Sequence, residues 1–122
     1  MPINFMKITV LKSKIHTARV TETNLHYEGS IIIDEELMEA ANIKEYEKVL
    51  VANFTNGNRY ETYAMKGARN SGIISVNGGG ARYSCIGDEV TIFAFAQVEE
   101  YESIKPKIII VDKENKIQKI FP

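Results

Sequence analysis

Short apolar runs rich in Ile and Val recur along the chain between turn signals, at Ile8–Leu11, Ile31–Ile33, Val49–Phe54, Arg59–Met65, Ile73–Val76, Val90–Phe95 and Ile108–Val111. Runs this short, β-branched and bounded by Gly, Asn and Asp, predict strands. The sharpest local signal is VLVANFTNGNRYETYAM, in which Asn56-Gly57 separates two alternating segments and supplies the positive φ angles of a tight turn. It predicts a hairpin with strands near 48–55 and 58–65. Between Asp34 and Ile43 the pattern changes: Leu37, Met38 and Ala41 fall at helical spacing behind Asp34, a good N-cap residue, and predict one short helix. A second short helix is expected at GGARYSCIG, weakened by the backbone entropy of consecutive glycines. So many strands with so little helix would leave exposed edges unless the sheet closes. The expected fold is therefore mainly β, a small closed barrel.

Composition narrows this picture. A chain of 122 residues with 44% hydrophobic content supports one core, read as a single domain over 1–122. Fifteen Lys+Arg against sixteen Asp+Glu give a formal charge of −1, too little field to hold a polyanion, so no nucleic-acid partner is expected. Cys85, the only cysteine, has no partner for a disulfide or a thiolate metal site, suits a reducing compartment, and is expected to pack as a small apolar residue. Met1–Val10 lacks the apolar stretch of a secretory signal, and no apolar run approaches bilayer length. A cytoplasmic protein without a membrane partner is expected.

LHYEGSIIID, residues 25–34, places a small Gly29-Ser30 pair between Tyr27-Glu28 and a buried-looking Ile triplet. By residue type alone this is a turn entering a strand. No G-x-S-x-G elbow surrounds Ser30, and His16 and His26 are its neighbours only in sequence. Lys14 and Arg59 read as solvated charges, Thr62 and Tyr63 as strand residues on opposite faces, and Gly78–Gly80 as a flexible loop without the pattern of a nucleotide cradle.

Four segments in one register change that reading. KSKIHTARVTETNLHYEGSIIIDEELMEAANI, VANFTNGNRYETYAMKG, IISVNGGGAR and GDEVTIFAF, spread over roughly Met6–Asp112, resemble the aspartate 1-decarboxylase family, pyruvoyl-dependent enzymes that make β-alanine for pantothenate synthesis. The resemblance implies a closed six- to seven-stranded double-psi β-barrel with one or two short helices, assembled as a homo-tetramer. It also implies that Ser30 attacks the carbonyl of Gly29, turning the peptide into an ester. Elimination and hydrolysis then leave chains 1–29 and 30–122, the second beginning with a pyruvoyl group made from Ser30. That group is the cofactor, with no metal and no pyridoxal phosphate. L-Aspartate would join its ketone as a Schiff base, lose the α-carboxylate as CO2, and leave as β-alanine.

The same resemblance assigns roles. Lys14 and Arg59 would hold the substrate carboxylates, Thr62 would assist self-cleavage and touch substrate, and Tyr63 would return the proton to Cα. Tyr27 would lie near the pyruvoyl, Asn77 would support self-processing, and Gly78, Gly79 and Gly80 would offer backbone N–H groups to a carboxylate. The family usually reads N-G-A-A-A where this chain has Asn77-Gly78-Gly79-Gly80-Ala81, which keeps the donors but loosens the loop. Met1–Phe5 reads as an extension or as upstream of a start at Met6, the segment after Asp112 carries no assigned residue, and a maturation factor stays open. The alternative is a non-catalytic, unprocessed β-barrel that serves as a binding or interaction module.

Overall fold

A computed structural model describes residues 6–122, so Met1–Phe5 lie outside the described residues. The strands are β1 (Lys7–Arg19), β2 (Glu22–Asn24), β3 (Ser30–Asp34), β4 (Lys48–Asn53), β5 (Arg59–Gly67), β6 (Ile74–Asn77), β7 (Glu89–Glu99), β8 (Lys107–Val111) and β9 (Ile117–Phe121). One helix, α1 (Glu35–Ala40), follows β3, and a 3-10 helix spans Gly78–Arg82.

The pattern-based elements appear where expected. β4 and β5 form the hairpin, paired from Lys48 opposite Tyr63 to Ala52 opposite Arg59, with Gly57 at φ +80° in the turn. Asp34 caps α1. The second helix is a 3-10 turn, because its glycines contribute too little helix propensity to sustain an α-helix.

Two strands are additional, giving nine among the described residues where about seven were expected. β2 has three residues, too few to show alternation, and β9 is the charged segment IQKIF, which pairs with β8 at the rim. β1 also runs well past its apolar start, through the polar stretch SKIHTAR. Those residues stay extended because β7 pairs along one edge and β8, in parallel, along the other.

The ladder order is β2-β6-β3-β5-β4-β7-β1-β8-β9. Its ends are not paired, yet β1 and β2 are consecutive on the chain and joined only by Val20 and Thr21. The N–H of Val20 donates to the Asp88 carbonyl at 3.0 Å, and that of Thr21 to the Ile74 carbonyl at 2.8 Å. The chain thus leaves β7 and joins β6 without a gap. Counted through that connection, the β1–β2 segment with β6, β3, β5, β4 and β7 makes a six-membered ring consistent with a double-psi barrel, although the strand ladder itself does not close as expected; β8 and β9 extend outward from β1. Inside the ring, Ile15, Ile31, Ile33, Val51, Ile74 and Ile92 are fully buried, each worth about 1.5–3 kcal/mol of burial.

One expectation is corrected. Cys85 is exposed: it sits in the turn before β7, where its backbone N–H is bound to Asp88 Oδ2 at 2.8 Å and its side chain faces solvent. The segment after Asp112 is part of the fold, since buried Asn115 donates to the Arg19 and Gly72 carbonyls and accepts from the Arg19 N–H.

Asp34 is the principal polar anchor. It is 1% exposed, accepts from the backbone N–H of Glu36 (2.9 Å), Asn70 (3.0 Å) and Gly72 (2.8 Å), and so ties β3, α1 and the turn before β6 together. Asp34→Ala strands these donors and is expected to lower stability by about 3 kcal/mol, read as the shift in urea unfolding of the variant against the parent.

Candidate active site

The site forms where β3 begins. Ser30, the first residue of β3, lies opposite Asn77 of β6, whereas pairing between β3 and β5 starts one residue later, with Ile31 opposite Ala64. The part of β5 before Ala64 therefore has no β3 neighbour. That gap is a cavity of about 410 Å³, with Gly29 and Asn77 on one side and Tyr60, Thr62 and Tyr63 on the other. Alternation along a strand would send Thr62 and Tyr63 to opposite faces, but here the open edge of β5 looks into the cavity, so both line it.

Ser30 is 6% exposed, and its hydroxyl faces the Asn77 amide nitrogen at 3.4 Å. Asn77 is itself buried, and its Oδ1 accepts from Asn24 Nδ2 at 3.1 Å and from the Ser75 hydroxyl at 3.0 Å. Two donors on that oxygen turn the amide nitrogen toward Ser30. The carboxylate of Glu22, 3.2 Å from Ser75 Oγ, competes for the single Ser75 proton.

Gly78 shows why this position tolerates no side chain. It has φ +73°, and a Cβ built on it would lie 2.6 Å from Gly29 Cα and 2.8 Å from Gly29 N. The strand-entry segment Tyr27–Gly29 thus passes directly over the start of the 3-10 helix. A Cβ on Gly29 or Gly79 would meet open space. At Gly80 it would come within 3.0 Å of Tyr60 Cε2 and Val76 Cγ1, so of the two glycines that stand in for the usual alanines, Gly79 borders open space and Gly80 faces an aromatic ring.

Tyr60, Glu61 and Tyr83 also line the cavity and are absent from the residues assigned by resemblance. The Tyr60 and Tyr83 rings stack with centroids 5.7 Å apart. Burial pushes the Tyr60 phenol above its ordinary range, the Ser84 hydrogen bond opposes that shift, and the charge of Asp88 adds to it, so the phenol is neutral at physiological pH. Adjacency to Arg59 was the only sequence signal for Tyr60. The roles of Asn24 and Ser75 depend on parallel pairing of β2 with β6, which no local pattern announces.

Other assigned residues lie elsewhere on the barrel. Lys14, on β1, pairs with Phe93 and Ile108 and holds its ammonium 5.9 Å from the centre of the Phe93 ring. Arg59 is exposed at the start of β5, and neither cation lines the cavity of its own chain. Tyr27 is exposed, at 67%. His16 contacts Thr91 and Phe54 away from Ser30, and His26 is exposed.

Comparison with known proteins bears directly on this geometry. The family model described as aspartate decarboxylase matches residues 6–118. The chain is 58% identical over 117 residues to the aspartate 1-decarboxylase of Caldicellulosiruptor saccharolyticus, covering 94% of this chain and 91% of that protein. It is 51% identical over 115 residues to that of Coprothermobacter proteolyticus, covering 94% and 96% respectively. With that of Burkholderia multivorans it shares 54% identity over 116 residues, covering 93% and 91%. A match of this extent, on a barrel with a Gly-Ser bond at the mouth of a cavity, places the chain in the aspartate decarboxylase family.

Proposed function

We propose that this chain removes the α-carboxylate of L-aspartate as CO2 and releases β-alanine, feeding pantothenate synthesis, with a pyruvoyl group that it makes from its own Ser30. The observation that carries this reading is the Gly29–Ser30 bond itself, set at the cavity wall between Asn77 and the open edge of β5 in a chain of this family.

The surroundings fit self-processing. Gly29 presents a carbonyl unshielded by a side chain, Ser30 Oγ is buried beside a polarised amide, and the close approach of Gly78 to Gly29 fixes the entering segment. Thr62 lines the cavity on the opposite wall, with its hydroxyl bound to no partner among the described residues and thus free to serve the Gly29 carbonyl. Attack by Ser30 Oγ on that carbonyl would move the Gly29 acyl group from the Ser30 nitrogen to its oxygen; elimination across Cα–Cβ of Ser30 would then release residues 1–29 with a free carboxylate, and hydrolysis of the resulting dehydroalanine, with loss of ammonia, would leave the pyruvoyl on residues 30–122. Once formed, the pyruvoyl supplies the electron sink that no amino-acid side chain provides.

The remaining work falls to the chain. Gly79 and Gly80 line the cavity, which supports the use of that turn's backbone N–H groups for a substrate carboxylate, and Tyr63, which lines it with Thr62, would return a proton to Cα. Tyr27, two residues before Gly29, is assigned to the neighbourhood of the pyruvoyl by resemblance, and its side chain is exposed in the single chain. Lys14 and Arg59 are assigned to the dianion, and because neither lines the cavity of its own chain, the reading includes assembly of four copies in which a neighbour completes the site. Exposed apolar residues at Ile8 and Phe95 on the β1–β7 ribbon, and at Met6 just before β1, support such assembly. No helix among the described residues is long and apolar enough to cross a membrane. A cytoplasmic address belongs to the same proposal and agrees with the lone Cys85.

Incubation of the purified protein with L-aspartate is expected to yield β-alanine and CO2 in equal amounts, and Ser30→Ala none; activity in Ser30→Ala would sink the proposal. Tyr63→Phe should still cleave its chain but lose about 10²–10⁴-fold in kcat, measured per cleaved chain. Gly78→Ala forces a Cβ onto Gly29 and is expected to block cleavage, seen as a single band on a denaturing gel where the parent gives two.

A further inference from the structure

We infer that Tyr60 is a specificity-determining residue, a braced wall that limits how long an acidic side chain the cavity accepts. The inference rests on the proposed aspartate site and adds to it the reason for its size.

Because β3 and β5 run parallel and Ile31 pairs with Ala64, Ser30 lies level with Tyr63. From there β5 runs back to Tyr60, a distance of about 10 Å at the rise of a strand. Aspartate with its amine at the Ser30 end reaches about 5 Å to its far carboxylate. Tyr60 lines the cavity at that end, with its ring packed against Gly80 of the 3-10 turn. Glutamate, longer by one methylene, would run into that ring.

The ring cannot yield easily, because three separate contacts hold it. Its Cε2 lies where a Cβ on Gly80 would be only 3.0 Å away, so the ring packs directly on the glycine backbone. Its face stacks on Tyr83. Its hydroxyl is 2.9 Å from Ser84 Oγ, and Ser84, 3% exposed, is bound in turn by Asn53 Nδ2 at 3.3 Å. Asn53 also donates to Asp88 Oδ2 at 2.8 Å and to the Tyr83 carbonyl at 3.1 Å. Swinging Tyr60 outward would break a buried network, and such networks resist partial disruption. Gly80 and Tyr60 are thus matched in size: the missing methyl on the turn makes room for the ring that ends the cavity.

The test is kcat/KM for L-aspartate and for L-glutamate, per cleaved chain, in the parent, Tyr60→Phe, Tyr60→Leu and Ser84→Ala. The parent should favour aspartate by at least about 10-fold, and Tyr60→Leu should raise the glutamate-to-aspartate ratio about 10-fold or more, the scale of one methylene in a pocket. Tyr60→Phe keeps the ring and its packing on Gly80 and Tyr83 but loses the same hydrogen bond that Ser84→Ala removes, so it should raise the ratio in the same direction, by about 3-fold or less. Ser84→Ala frees the hydroxyl and should raise the ratio in the same direction, by less, which keeps the test decisive should Tyr60→Leu fold poorly. A ratio unmoved in both Tyr60→Leu and Ser84→Ala, with the two substrates falling together, would overturn the inference, as would a parent that accepts both substrates equally. Failure of the underlying site would look different: cleaved parent protein that releases no β-alanine at all.

Discussion

One register decides where the chemistry can occur. Ser30 is paired with Asn77 on one side, but β5 does not meet β3 until Ala64 reaches Ile31. Were the ladder one residue longer at that end, β5 would cover the Gly29–Ser30 bond and the cavity would close. As it stands, the last unpaired stretch of β5 faces the bond across open space, and a serine with a buried hydroxyl stands at its edge. A barrel is suited to hold this, since its ring fixes each strand against two neighbours and leaves little freedom for the register to slip.

Polar groups around the bond are then held from behind. Asn24 and Ser75 hold the oxygen of Asn77, so that its nitrogen points at Ser30, and Gly78 brings the 3-10 turn against Gly29 with no side chain between. On the far wall, Ser84, Asn53 and Asp88 perform the same service for Tyr60. These two buried networks attach to different parts of one cavity lining, one at Asn77 beside the Gly29–Ser30 bond and the other at Tyr60. Asp34 stabilises the whole from the other end of β3.

Much of the fold could be read from the sequence because its signals are local. The Asn56-Gly57 turn and the Asp34 cap each depend on a few adjacent residues, and each is found in place. What escaped depends on pairing between distant segments. β2 is too short to alternate, β1 is extended through polar residues only because it is flanked on both edges, and β9 is charged yet paired. The site divides in the same way. Gly29, Ser30, Thr62, Tyr63, Asn77 and the glycines came from motif resemblance; Gly29, Thr62, Tyr63, Asn77, Gly79 and Gly80 line one cavity, with Ser30 opposite Asn77 and Gly78 against Gly29. Tyr60, Asn24 and Ser75 gain their roles only when β5, β2 and β6 are set in register, and Cys85 defied its composition-based reading because a turn directs it outward.

The central claim is that the chain cuts its own Gly29–Ser30 bond to make its cofactor. Intact-mass spectrometry of the purified protein under denaturing conditions tests it most directly. The account predicts two species, residues 1–29 and 30–122, the larger lighter by one ammonia than a fragment that starts with serine. A single full-length mass that persists on prolonged warming and in the presence of cell extract would contradict it.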